Sequence, residues 1–286
     1  MTDTGDALRL ETTPTQVVSG PAGGIAVRFL GRTTAPGVPL VALTHLGGNL
    51  DSFDPEVVNP LPDGRQMVLV GYSGVGASDG PARYSVEDMA ADVIAVIRTL
   101  RFERIDLLGL SMGGMVAQGI ADRAPGLVEH LILAGSGPAG GPGLTRLTGV
   151  MVRGILAGII TCTDPTVRLF FTRTRAGSRA AAAYRSRLAR RALHRDNPVG
   201  IGVFRAQLRA VRRWGDRFGS PSPPAFAGPV LVFHGDSDRM VSASNAQALR
   251  NRYPQATVQI FPDSGHGVVF QNRAAVVDAT RRFLDE

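Results

Sequence analysis

The chain has 286 residues, 44% of them hydrophobic and 19% charged, an ordinary globular composition with room for one large domain. Its formal charge is +7, but all 31 basic residues are arginine. That habit follows from GC-rich coding and is a poor argument for a polyanionic partner. A single cysteine, Cys162, excludes an internal disulfide and suits a reducing compartment.

Residues 1–6 are polar and acidic, with neither a basic nor an apolar stretch, so no signal peptide is expected. The most apolar segment, residues 147–160, is interrupted by Arg153 and is too short to span a bilayer. These features predict a soluble, cytoplasmic protein with no membrane span.

Residues 8–12 and 24–30 read as two strands joined through a turn at 21–23. Residues 39–44 form a continuous apolar strand ending in His45-Leu46-Gly47-Gly48-Asn49. A second apolar strand, 66–70, ends in the glycine- and serine-containing stretch 71–78. Ser85 then caps a helix with Met89, Val93, Ile94, Ile97 and Leu100 at helical spacing. Residues 105–108 are a short buried strand, followed by Gly109-Leu110-Ser111-Met112-Gly113-Gly114 and a further helix. Residues 127–134 supply one more strand.

The alternation stops at the glycine- and proline-rich stretch 135–143. Residues 135–140 fit a dinucleotide-type GxGxxG, but Pro138 and Pro142 interrupt any helix there and no acidic residue follows at the required distance. From 144 to 219 the pattern is helical and rich in arginine. Phe204, Leu208, Val211 and Trp214 share one face, while Arg205, Arg209, Arg212 and Arg213 share another. After a linker at 220–224, strands at 230–233 and 257–261 alternate with helices near 244–252 and up to Leu284. The reading is one α/β domain, residues 1–140 and 220–286, interrupted by a helical insertion at 141–219. Its apolar strands imply a mostly parallel sheet covered on both faces, with chemistry at the strands' carboxyl ends.

The hexapeptide around Ser111 has the form of a nucleophile elbow, a strand turning sharply into a helix with serine at the apex. Gly109 and Gly113 flank it because a Cβ there would collide with the turn. The helix N-terminus favours developing negative charge at the serine. A serine needs a base, and the base needs an orienting carboxylate. Gly235-Asp236-Ser237-Asp238 and Asp263-Ser264-Gly265-His266-Gly267 close two later strands, giving the chain order Ser, Asp, His. His266 is the candidate base and Asp238 the candidate acid. Asp236 competes with Asp238, since spacing alone does not tell which carboxylate points inward. One oxyanion donor is the N–H of Met112. The second comes from the loop after the third strand, from Gly47 or, alternatively, Leu46.

These stretches resemble the α/β-hydrolase superfamily over nearly the whole chain, within it a bacterial group with an HxxGN-type oxyanion loop, a GVGxS turn (74–78), a GxSxGG elbow and a PDxGHG end (262–267). The resemblance implies an eight-stranded, mostly parallel sheet with helices on both faces and a helical cap formed by the insertion. It also implies acyl transfer without metal or organic cofactor. Two departures stand out: Leu46 follows His45 where many members have glycine, and Gly71 stands where many have aspartate. The expected activity is hydrolysis of a carboxylic ester or lactone through an acyl-enzyme on Ser111. The alternatives are a carbon–carbon bond hydrolase or cofactor-free perhydrolase with the same triad, and a small-molecule binding protein on a retired hydrolase fold.

The five histidines show no paired spacing for a metal. Between 146 and 217 sixteen arginines face three aspartates, which reads as a solvated helix face, with an anionic substrate or acidic partner as sharper accounts. No nucleic-acid module appears. The partner expected is a small molecule, hydrophobic to suit Leu147, Val150, Ile155, Ile159, Phe170 and Phe171, and anionic if the arginines steer it. Oligomeric state is open.

Overall fold

The unbroken apolar runs of the sequence become the middle of one sheet, where both faces are covered. In the computed structural model, which describes residues 7–20, 23–32, 34–160, 164–217 and 223–286, eight strands hydrogen-bond in the order β1-β2-β4-β3-β5-β6-β7-β8. They are β1 (Gln16–Gly20), β2 (Gly23–Leu30), β3 (Gly37–Leu43), β4 (Arg65–Val70), β5 (Ile105–Leu110), β6 (Val128–Ala134), β7 (Val230–Gly235) and β8 (Thr257–Phe261). The pairs β1–β2 and β2–β4 are antiparallel and the rest parallel. Every residue of β5 and β7 is buried, as expected of strands sandwiched between helical layers.

The helices are α1 (Pro55–Val58), α2 (Val86–Thr99), α3 (Met112–Arg123), α4 (Leu147–Ile160), α5 (Pro165–Phe170), α6 (Arg175–Leu188), α7 (Ile201–Gly215), α8 (Ser244–Arg252), α9 (Val268–Gln271) and α10 (Arg273–Leu284). Ser85 caps α2 by accepting from the Asp88 N–H at 3.1 Å, the cap expected from its position before an apolar helical pattern.

The N-terminal expectation is corrected. The first strand is Gln16–Gly20, not residues 8–12. The Leu10 N–H goes to Asn59 Oδ1 at 2.8 Å, and the N–H groups of Thr12 and Thr13 turn back to Arg9 O. A side chain far along the chain takes the donor a strand would have used. β1 itself is a half-exposed edge strand, whose mixed pattern carries little apolar signal. Residues 1–6, the turn at 21–22, Cys162 and residues 220–222 of the linker lie outside the described residues. No helix among the described residues is long and apolar enough to cross a membrane.

Helices α4 to α7 stand between β6 and β7, and buried ion pairs pin their middle to the loop after β3. Arg187, at the end of α6, meets the fully buried carboxylate of Asp54 at 2.6 Å. Arg191 donates to Leu10 O and Thr13 O at 2.6 and 2.9 Å. The Asp196 N–H reaches Asp51 Oδ2 at 2.8 Å, and Asp51 in turn pairs with the buried Arg28 at 2.7 Å. Part of the arginine-rich pattern is therefore structural anchoring, which a reading in terms of solvated faces does not anticipate. One-sided removal of such a partner strands a buried charge.

Candidate active site

Ser111 sits between the end of β5 and the first residue of α3, with φ 54° and ψ −115°. This is a strained conformation for a residue with a Cβ, costing of order 1–3 kcal/mol. The neighbouring glycines make it reachable. A Cβ on Gly109 would lie 2.4 Å from Gly113 O, and one on Gly113 2.3 Å from Leu43 O. The Ser111 N–H is anchored to Ala134 O of β6 at 2.8 Å.

The structure brings three distant residues together. The Ser111 hydroxyl donates to His266 Nε2 at 2.8 Å, and His266 Nδ1–H donates to Asp238 Oδ2 at 2.8 Å. All three are buried. The other oxygen of Asp238 accepts from the N–H groups of Met240 and Val241 at 2.8 and 2.9 Å. Those two donors fix the direction of the carboxylate. Behind it, buried His234 bonds through Nε2 to Val241 O at 2.8 Å, and burial holds its pKa below the usual value. Asp236 is exposed and bonds to the Ser237 hydroxyl and the Ser264 N–H instead. Of the two competing carboxylates, only Asp238 faces the imidazole.

Of the two expected oxyanion donors after β3, Gly47 and Leu46, one has a side-chain partner. Gly47, in the left-handed region at φ +74°, donates its N–H to Gln207 Oε1 of α7 at 2.8 Å. That donor is already taken. Among the described residues, no protein acceptor stands on the N–H of Met112 or of Leu46. Gln207 escaped the sequence reading, although a signal existed: it is a polar residue set on the Phe204–Leu208–Val211 stripe, one turn from Phe204. It is almost wholly buried.

Around Ser111 and His266 the walls are His45, Leu110, Phe170 and Val269, enclosing a cavity of about 10 Å³, roughly the room one water needs. Phe170 meets the His45 ring at 4.7 Å and the His266 ring at 5.3 Å, edge to face in both cases. His45 donates Nδ1–H to Leu46 O at 3.0 Å, while its buried Nε2 has no hydrogen-bond partner. Burial is the main reason its pKa falls to about 4, so the ring is neutral near pH 7.

Set against known proteins, the chain aligns with a 2-hydroxymuconate semialdehyde hydrolase of Pseudomonas sp. at 26% identity, over 80% of each chain. An alpha/beta hydrolase fold protein from Chitinophaga pinensis superposes with TM-score 0.91 and 29% identity, covering 98% of this chain and all of that one. The enol-lactonase from Burkholderia xenovorans superposes with TM-score 0.74 at 18% identity, covering 95% of this chain and all of that one. The family model described as alpha/beta hydrolase fold matches residues 38–273, and with that sheet and that turn at Ser111 the chain belongs to the alpha/beta hydrolase family.

Proposed function

We propose that this protein is a serine hydrolase that cleaves a carboxylic ester or lactone. The observation that carries the reading is the unbroken relay from the Ser111 hydroxyl to His266 Nε2 and from His266 Nδ1 to Asp238, each at 2.8 Å. In this reading Ser111 Oγ attacks the carbonyl carbon as its proton passes to His266. Asp238 holds the imidazole and steadies the imidazolium that forms. The oxyanion of the tetrahedral intermediate lies at the N-terminus of α3, where the Met112 N–H and the helix dipole favour negative charge. Leu46 N–H is the second donor, because Gly47 is committed to Gln207. His266 then protonates the leaving oxygen, and water, activated by the same imidazole, releases the acid and restores Ser111. No step calls for a metal or an organic cofactor.

Helices α4 to α7, residues 141–219 with their flanks, act as the cap. The cavity of about 10 Å³ is too small for an ester, so Phe170 moves aside when substrate enters. Apolar walls at Leu110, Phe170 and Val269 suit a hydrophobic acyl group.

The test is a panel of aryl esters, lactones and vinylogous diketones, with fluorophosphonate labelling alongside. Wild type should hydrolyse esters or lactones and take the label, while Ser111→Ala does neither. Turnover of the diketones alone would assign carbon–carbon hydrolysis. An unlabelled, inactive wild type would point to a binding protein.

A further inference from the structure

A second cavity, of about 390 Å³, opens between α4, α5 and the loop after β7. This volume falls in the range of small-molecule sites. Four guanidinium-bearing residues line it, Arg153, Arg168, Arg173 and Arg239, and no aspartate or glutamate does. Its floor is apolar, with Leu169 and Met240 among the lining residues. It is separate from the catalytic cavity: α5 divides the two, with Leu169 facing this one and Phe170 facing Ser111.

One of the four guanidinium groups is held in place before any ligand arrives. Arg239 Nη2 donates to Arg168 O and Phe171 O at 3.0 and 3.1 Å. Arg153 is tied through Nε to Gly149 O at 3.1 Å, a bond that does not use its terminal nitrogens. The crowding is electrostatically unfavourable. Burial pulls the Arg239 pKa below its usual value, and the charges of Arg173 and Arg168 pull the same way. An anion placed among these groups relieves that repulsion, and a planar carboxylate matches the guanidinium fork.

We propose that this cavity is a binding site for a small amphiphilic anion, a carboxylate carrying an apolar chain, with the carboxylate among Arg153, Arg173 and Arg239 and the chain over Leu169 and Met240. The arginine rim selects the charge and the floor selects the chain. The site does not rest on the ester reading, since binding there requires no turnover.

Octanoate is the probe, with octanol as its uncharged counterpart, titrated into the full-length protein by calorimetry. Octanoate should bind wild type at least ten-fold more tightly than octanol, and more weakly as salt is raised. Arg153→Gln combined with Arg173→Gln should weaken octanoate at least ten-fold with an unchanged melting temperature. The control, Arg205→Gln combined with Arg212→Gln, removes the same charge from exposed positions of α7 and should leave affinity within two-fold. The proposal is overturned by no octanoate binding, by equal binding of octanol, by full affinity in the Arg153/Arg173 variant, or by equal loss in the control.

Discussion

The Gly47 N–H and the Oε1 of Gln207 lie 2.8 Å apart across 160 residues of sequence, and this bond ties the loop after β3 to α7. Gln207→Leu removes the acceptor and leaves a part-buried donor unpaired, a loss of about 1–3 kcal/mol. Urea unfolding should show that loss. The same variant tests the oxyanion assignment. With Leu46 as second donor, freeing Gly47 brings no gain, and kcat on an aryl ester stays level or falls. A rise in kcat would return that role to Gly47.

The two carboxylates after β7 should separate cleanly in kinetics. Asp238→Asn removes the acceptor for His266 Nδ1–H and favours the wrong tautomer. A loss on the order of 10⁴ in kcat is the scale set by the same change in the serine protease triad. Asp236→Asn touches an exposed side chain bonded to Ser237 and Ser264, and should leave kcat within about two-fold. Equal losses in both variants would break the assignment of Asp238.

That pair also marks the limit of what local sequence encodes. The stretch 109–114 announces its turn through steric necessity, since glycines at 109 and 113 are demanded by contacts with the turn itself and with the end of β3. Apolar runs and cap residues announce the central strands and α2 for equally local reasons. Asp236 and Asp238 differ only in which one meets the N–H groups of Met240 and Val241, a matter of loop path that composition does not encode. Gln207 meeting Gly47, Asn59 taking the N–H of Leu10 and Arg187 finding Asp54 are contacts between distant segments, visible only after folding.

His45 gives the protein an acid limb. Its pKa in the fold is about 4, against 6.5 for an ordinary histidine. Between those values the unfolded chain binds a proton that the folded chain refuses, so stability falls as pH drops through this window. At pH 4.5 the loss relative to pH 7 amounts to about 2–3 kcal/mol from this group. His234 is shifted in the same direction and adds to it. His45→Gln keeps a donor for Leu46 O and removes the titration. Urea midpoints at pH 7 and pH 4.5 should therefore converge in the variant, with His234 leaving a residual slope. An unchanged gap would mean that His45 is protonated in the fold.

Arg187 and Asp54 hold the end of α6 to the start of α1. Asp54 is fully buried, caps α1 by accepting from the Glu56 N–H at 3.0 Å, and receives both Nε and Nη2 of Arg187. Arg187→Met leaves that carboxylate without its countercharge, a loss of about 3–5 kcal/mol. Adding Asp54→Asn removes the stranded charge while keeping an oxygen for the cap, so the double variant should be more stable than Arg187→Met alone. Thermal melts of the wild type, both single variants and the double variant close the cycle. A favourable coupling above about 2 kcal/mol is expected, because each single variant strands a partner that the double variant does not contain. A coupling near zero would mean that α6 is held by its apolar contacts, with the ion pair a passenger.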